Sequence, residues 1–240
     1  MTALLELRKV TKRYGGVIAV NQVSFSVPRG RFMGLMGANG AGKTTLFGLI
    51  AGNLGISSGD ILLNGQSIVG KRPDVICGLG VARTFQIVRP FRDMSVFENV
   101  YTAALFKPHA SPAQAREMAQ RALEITDLAD VENTLAGDLT LAGQKRLELA
   151  RALATGGELL LLDEIMAGLT PSEVEGMLAM LKRIHREYEL TVICVEHVMR
   201  ALMRLSDEIV VLHHGEMMAQ GTPEQIAENP EVIRNYFGAD

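Results

Sequence analysis

The sequence predicts an α/β fold: a largely parallel sheet covered by helices, with a mainly helical segment inserted into it. Two observations carry the prediction. Short, almost wholly apolar runs, at 32–36, 159–162 and 191–195, alternate with amphipathic stretches of helical period, the pattern of strands buried on both faces between helices. Between about 90 and 155 the strand patterns give way to helical ones, and afterwards they return.

Taken in order, 4–10 and 23–27 read as strands, and the turn between them, 12–16, carries an exposed aromatic, Tyr14. The run 32–36 reads as a buried strand, and 60–63 followed by Asn64-Gly65 as one arm of a hairpin. Residues 70–80, with Gly70, Pro73, Gly78 and Gly80, read as loop, and 81–86 as a strand stopping at Gln86. In the middle, 97–106 is a helical run closed by Pro108, and Ser111-Pro112-Ala113-Gln114 is a capping box opening a second helix. A third helix spans 146–154. Then 158–162 is an apolar strand ending in Asp163-Glu164, and Thr170-Pro171-Ser172-Glu173 opens a helix with Val174, Met177, Leu178, Leu181, Ile184 and Tyr188 on one stripe. Strands at 191–195 and 209–212 follow, the first ending at Glu196-His197, and Thr222 caps a short terminal helix. These elements divide one domain into a core, 1–89 and 156–240, and a helical subdomain, 90–155.

Composition narrows the function. The 240 residues are 48% hydrophobic and carry a net charge of −3, so there is material for a core and no basic surface for nucleic acid. No apolar run reaches the roughly 18 residues of a membrane span, and the charged N-terminus does not read as a signal peptide. Cys77 and Cys194 stand in apolar stretches without metal-ligand spacing and read as reduced core residues.

The chemistry is concentrated in Gly37-Ala38-Asn39-Gly40-Ala41-Gly42-Lys43-Thr44-Thr45, set between a strand and a helix. That context is what the phosphate-loop pattern G-x-x-x-x-G-K-[ST] requires. The first N–H groups of a helix lack partners and its dipole is positive there. Gly37, Gly40 and Gly42 let successive N–H groups curl inward, Lys43 reaches the β- and γ-phosphates, and Thr44 offers a hydroxyl to Mg²⁺. Asp163 and Glu164 form a second constellation, two carboxylates at the C-terminal end of a buried strand, where α/β sheets place their ligands. Asp163 is suited to hold Mg²⁺ and Glu164 to polarise an attacking water. His197 and Gln86 also stand at strand ends, and each alone is a weak indication.

Together, in this order, these segments resemble the nucleotide-binding subunits of ABC transporters over essentially the whole chain. The resemblance implies ATP and Mg²⁺ as ligands, Tyr14 stacking on adenine, Gln86 joining Mg²⁺ to the surface that meets the membrane subunits, Asp163 beside the metal, Glu164 as catalytic base and His197 at the γ-phosphate. The family's Leu-Ser-Gly-Gly-Gln segment aligns with Leu139-Thr140-Leu141-Ala142-Gly143. Thr140 keeps the hydroxyl, Ala142 adds a methyl where backbone approach is close, and Gly143 lacks the glutamine side chain. Thr170 stands where the family usually has the aspartate of its D-loop, here 167–170. In this family two subunits sandwich ATP, so Thr140 and Ala142 would complete the partner's site.

Finer stretches are similar to the importer subunits for branched-chain amino acids, a group that includes urea and short-chain amide importers: 80–86, 91–100, 166–171, 196–199, and Asn229-Pro230-Glu231-Val232 with Tyr236-Phe237-Gly238. The implied partners are transmembrane permease subunits, a second ATP-binding subunit and, indirectly, a solute-binding protein. The implied location is cytoplasmic, peripheral on the inner face of the cell membrane. A nucleotide-switched regulatory protein and a small-molecule phosphotransferase are the competing classes. The single compact unit counts against the first, and the helical insert between phosphate loop and carboxylates against the second.

Overall fold

Strand polarity in the computed structural model, which describes residues 3–237, is divided between two sheets. Strands β1 (Ala3–Tyr14), β2 (Val17–Pro28), β4 (Ser58–Leu63) and β5 (Gln66–Ser67) form an antiparallel sheet in the order β2-β1-β4-β5. The other sheet has six strands: β3 (Phe32–Gly37), β6 (Val81–Arg83), β7 (Leu159–Asp163), β8 (Thr191–Val195), β9 (Glu208–His213) and β10 (Glu216–Gly221), ordered β10-β9-β3-β8-β7-β6. All are parallel except β10 on the edge.

Alternation along the parallel strands builds two cores. Met33 and Leu35 of β3, Leu159 and Leu161 of β7, Ile193 and Val195 of β8, and Val210 and Leu212 of β9 face helix α1 (Lys43–Ile50) and the antiparallel sheet. Their neighbours Phe32, Met36, Leu160, Leu162, Val192, Cys194, Ile209 and Val211 face α6 (Pro171–Tyr188), α7 (Met199–Leu205) and α8 (Pro223–Glu228). A strand covered on both sides needs apolar residues at every position, hence the unbroken runs. The burial of each such side chain contributes about 1.5–3 kcal/mol.

A third core lies among α3 (Val96–Ala104), α4 (Pro112–Ile125) and α5 (Leu141–Ala154), built largely from alanines with Val96, Val100, Leu123 and Leu147. Ser95 and Ser111 each close a capping box at the start of α3 and α4. Helix α5 serves two cores, because Leu149 and Ala152 pack against the sheet while Leu147 and Ala150 face the helices.

Four expectations change. The turn expected over 12–16 narrows to Gly15-Gly16, because β1 continues through Tyr14 and β2 begins at Val17. Residues 73–78 form a short helix, α2, opened by Pro73, where loop was expected. The strand expected over 81–86 stops at Arg83, because the Glu148 carboxylate draws the Phe85 N–H out of the ladder at 3.0 Å. The helix expected from 146 starts five residues earlier, capped by Thr140.

Candidate nucleotide site

Because β3, β6, β7 and β8 are parallel, their C-terminal ends share one edge, and the chain places the candidate residues there. The phosphate loop leaves β3 at Gly37, Asp163 ends β7, and Glu196-His197 follow β8. Gly42 adopts φ 101°, and a Cβ there would lie 2.5 Å from the Ala19 carbonyl, so only glycine fits the turn into α1. The Lys43 ammonium donates to the carbonyls of Gly37 at 2.6 Å and Ala38 at 3.0 Å, holding the loop closed on itself. Burial lowers the Lys43 pKa, and the facing charges of Glu164 and Asp163 oppose that shift. Thr44 and Asn39 are exposed beside it and Thr45 is half-buried.

Glu164 is the meeting point. One carboxylate oxygen, Oε2, accepts from the Gln86 amide at 2.7 Å, and Oε1 accepts from His197 Nε2 at 2.7 Å. Its backbone is left-handed, φ 50°, and it is 7% exposed. Residues 86, 164 and 197, far apart in sequence, are thus one hydrogen-bonded group. Asp163 is 2% exposed and pairs through Oδ2 with Arg83 Nη2 at 2.8 Å. Its Oδ1 is buried with no hydrogen-bond partner. A buried carboxylate oxygen left without a partner is the kind of hard-oxygen donor that Mg²⁺ takes, so Asp163 fits that ion.

Not every candidate joins this group. Tyr14, exposed at the end of β1, has the Lys12 ammonium 4.9 Å from its ring centre. Thr140 is the N-cap of α5, its hydroxyl accepting from the Gly143 N–H at 3.2 Å, and Ala142 is half-buried in the first turn. Neither Thr140 nor Ala142 is hydrogen-bonded to Lys43, Asp163 or Glu164 among the described residues. Thr170 caps α6 in a capping box with Glu173.

Four charged residues escaped the sequence reading. Arg83 holds Asp163. Lys145, Glu148 and Arg151, spaced three apart on α5, hold the segment after β6. Lys145 donates to the Gln86 carbonyl at 3.1 Å, Glu148 accepts from Phe85 and Arg89 N–H groups, and Arg151 donates to the Arg89 carbonyl at 2.9 Å. Burial raises the Glu148 pKa against those N–H groups and the charges of Arg151 and Lys145. The signal was present: charged residues at helical spacing on a helix otherwise rich in leucine and alanine.

A phosphate loop at the C-terminal edge of a parallel sheet, facing two carboxylates, defines a nucleotide-hydrolase fold of the phosphate-loop class. Within that class the chain belongs to the ABC transporter family, whose model matches residues 20–167. Residues 216–240 match the model described as branched-chain amino acid ATP-binding cassette transporter. The chain is 40% identical to the high-affinity branched-chain amino acid transport ATP-binding protein BraF of Pseudomonas aeruginosa, over 98% of each chain. It is 37% identical to the corresponding LivG of Escherichia coli, again over 98% of each. Among solved structures it superposes on the ADP conformation of MJ1267, an ATP-binding cassette of an ABC transporter, with TM-score 0.88 and 26% identity over the full length of both chains. It superposes on cbiO1 of Clostridium perfringens, part of the cbiONQ transporter complex, with TM-score 0.87 and 27% identity over 98% of this chain and 94% of that one.

Proposed function

We propose that this chain is the ATP-binding and ATP-hydrolysing subunit of an importer for branched-chain or other hydrophobic amino acids, working on the inner face of the membrane with separate permease subunits. The observation that carries the reading is the Glu164 carboxylate held between the Gln86 amide and the His197 ring at the strand edge that also presents Lys43. Supporting it are the relatives, whose names give branched-chain amino acid transport. No described helix is long and apolar enough to cross a membrane, so passage falls to partner subunits. Phe85, Ile87, Phe91 and Phe106 are exposed around the segment after Gln86 and the helices, an apolar surface for those partners. The division into a core, 1–89 and 156–240, and a helical subdomain, 90–155, is part of this proposal.

In the mechanism, the loop N–H groups and Lys43 bind the β- and γ-phosphates, and Tyr14 stacks on adenine. Thr44, Asp163 and Gln86 would hold Mg²⁺, which would supply charge neutralisation for the phosphates. Glu164 orients a water for in-line attack on the γ-phosphorus and accepts its proton, and ADP leaves as the bridging bond breaks. His197 donates to Glu164 and contacts the γ-phosphate. Two subunits close on ATP, with Thr140 and Ala142 of each completing the other's site.

Glu164→Gln tests this. Steady-state hydrolysis is expected to fall to background while ATP binding persists, and the mass in solution is expected to double with ATP and Mg²⁺. Unchanged turnover removes Glu164 from its role. A monomer that binds ATP tightly points to a different partner subunit.

A further inference from the structure

Lys145 is a cation in the interior. It lies one turn into α5 and is 3% exposed, and a charge so placed is costly unless hydrogen-bonded. Its ammonium donates to two main-chain carbonyls, Gln86 at 3.1 Å and Glu164 at 3.1 Å. The side chains of those same two residues are bonded to each other at 2.7 Å. The contacts therefore close a ring: Gln86 amide to Glu164 carboxylate, Glu164 carbonyl to Lys145, Lys145 to Gln86 carbonyl. Glu164 stands in the left-handed backbone region, φ 50°, which a residue with a side chain occupies only when its surroundings hold it there. Three main-chain contacts hold it: the Lys145 ammonium and the Ala167 N–H, at 3.2 Å, both donate to its carbonyl, and its own N–H donates to the Val195 carbonyl at 2.9 Å. Helix α5, which carries Lys145, begins at the Thr140 cap.

We propose that Lys145 is a positioning residue for hydrolysis: its ammonium locks the main chains of Gln86 and Glu164 together and fastens both to α5, so that the aim of the Glu164 carboxylate follows the position of that helix. The proposal rests on Glu164 being the group that orients water. The carboxylates of Glu196, Glu148, Glu164 and Asp163 surround the ammonium and favour its charged form against the burial that lowers its pKa. A neutral side chain of similar length would fill the space but release both carbonyls.

The test uses the full chain and three readouts: hydrolysis at saturating Mg-ATP, affinity for a fluorescent ATP analogue, and melting temperature. Lys145→Met is expected to lower kcat about tenfold to a hundredfold while nucleotide affinity stays within about threefold, the mark of lost orientation. Lys145→Arg is expected to recover most of the rate. If Lys145→Met does not fold, Lys145→Gln takes its place, and an intermediate kcat is expected. A parental kcat in the Met or Gln variant, with Glu164→Gln inactive in the same assay, overturns the proposal. So does an Arg variant no faster than Met when both melt like the parent. Persistent turnover in Glu164→Gln instead overturns the functional reading beneath it.

Discussion

The Tyr236 hydroxyl bonds to the second residue of the phosphate loop across 198 positions of sequence: the Ala38 N–H donates to it at 3.1 Å, and it donates onward to the Leu212 carbonyl at 2.7 Å. Tyr236 lies in the segment matching the branched-chain amino acid cassette model. The C-terminal stretch thus braces the start of the loop against β9. Tyr236→Phe removes only the hydroxyl and with it both hydrogen bonds, a change on the order of 1 kcal/mol. ATP affinity is expected to weaken about fivefold, read by titration with a fluorescent analogue, with a small fall in melting temperature. An unchanged affinity shows that the loop keeps its shape without the brace.

Arg83 and Asp163 form a buried ion pair, their side chains 12% and 2% exposed, with the guanidinium 5.8 Å from the Phe47 ring centre and 5.2 Å from that of Phe85. Removing one member leaves an uncompensated charge in the core. Arg83→Met is expected to cost about 3–5 kcal/mol in urea denaturation. Adding Asp163→Asn to it is expected to return part of that loss, because the stranded carboxylate is gone. Strictly additive losses would show that the two side chains do not interact energetically.

The parts of this molecule legible in its sequence are those written locally. The buried strands at 32–36, 159–162 and 191–195 show as apolar runs because both faces are covered, and the phosphate loop shows because glycine spacing and the adjoining strand and helix are contiguous. The antiparallel sheet was only half visible. Register shifts lie between Leu7 and Val10, and Lys9 and Gln22 have positive φ, so the alternation of β1 and β2 is broken and each reads as shorter than its 12 residues. The site residues Gln86, Asp163, Glu164 and His197 were found as strand ends or through resemblance. Arg83, Lys145 and Glu148 were not: their partners lie 80, 59 and 63 positions away, and the helical spacing of Lys145 and Glu148 marks them as charges on α5 without encoding what they hold.

Glu196 should make stability depend on pH. It is 3% exposed beyond β8 and accepts from the Met166 N–H at 2.9 Å. Its pKa is raised to about 7, chiefly by burial and further by Glu164, against the Met166 and Ile165 N–H groups and the Lys145 charge. Burial raises the pKa of the neighbouring Cys194 thiol, and the Glu196 charge raises it further. A carboxyl with a raised folded-state pKa binds a proton that the unfolded chain has released, so this contribution is full below about pH 4.5 and is lost as pH rises through about 7. A shift of this size corresponds to roughly 3 kcal/mol at about 1.4 kcal/mol per pH unit. Glu196→Gln keeps the carbonyl that the Met166 N–H needs and removes the titration. Its stability is expected to fall less than the parent's between pH 5 and 8, read from urea midpoints. Parallel profiles would mean that Glu196 is ionised throughout.

Thr140 carries two duties that substitution can separate. Its hydroxyl caps α5 by accepting the Gly143 N–H, and in the proposed function it faces the partner's γ-phosphate. Thr140→Ala removes the cap and is expected to cost about 1 kcal/mol. Thr140→Asp caps as well as threonine and suits the positive end of the helix dipole, so its melting temperature is expected to match the parent's. Its charge would nonetheless repel a phosphate brought against it. In a Glu164→Gln background, sedimentation with ATP and Mg²⁺ is expected to show doubled mass for Thr140→Ser and a monomer for Thr140→Asp. A Thr140→Asp protein that still doubles would place the phosphate elsewhere and leave Thr140 with the cap alone.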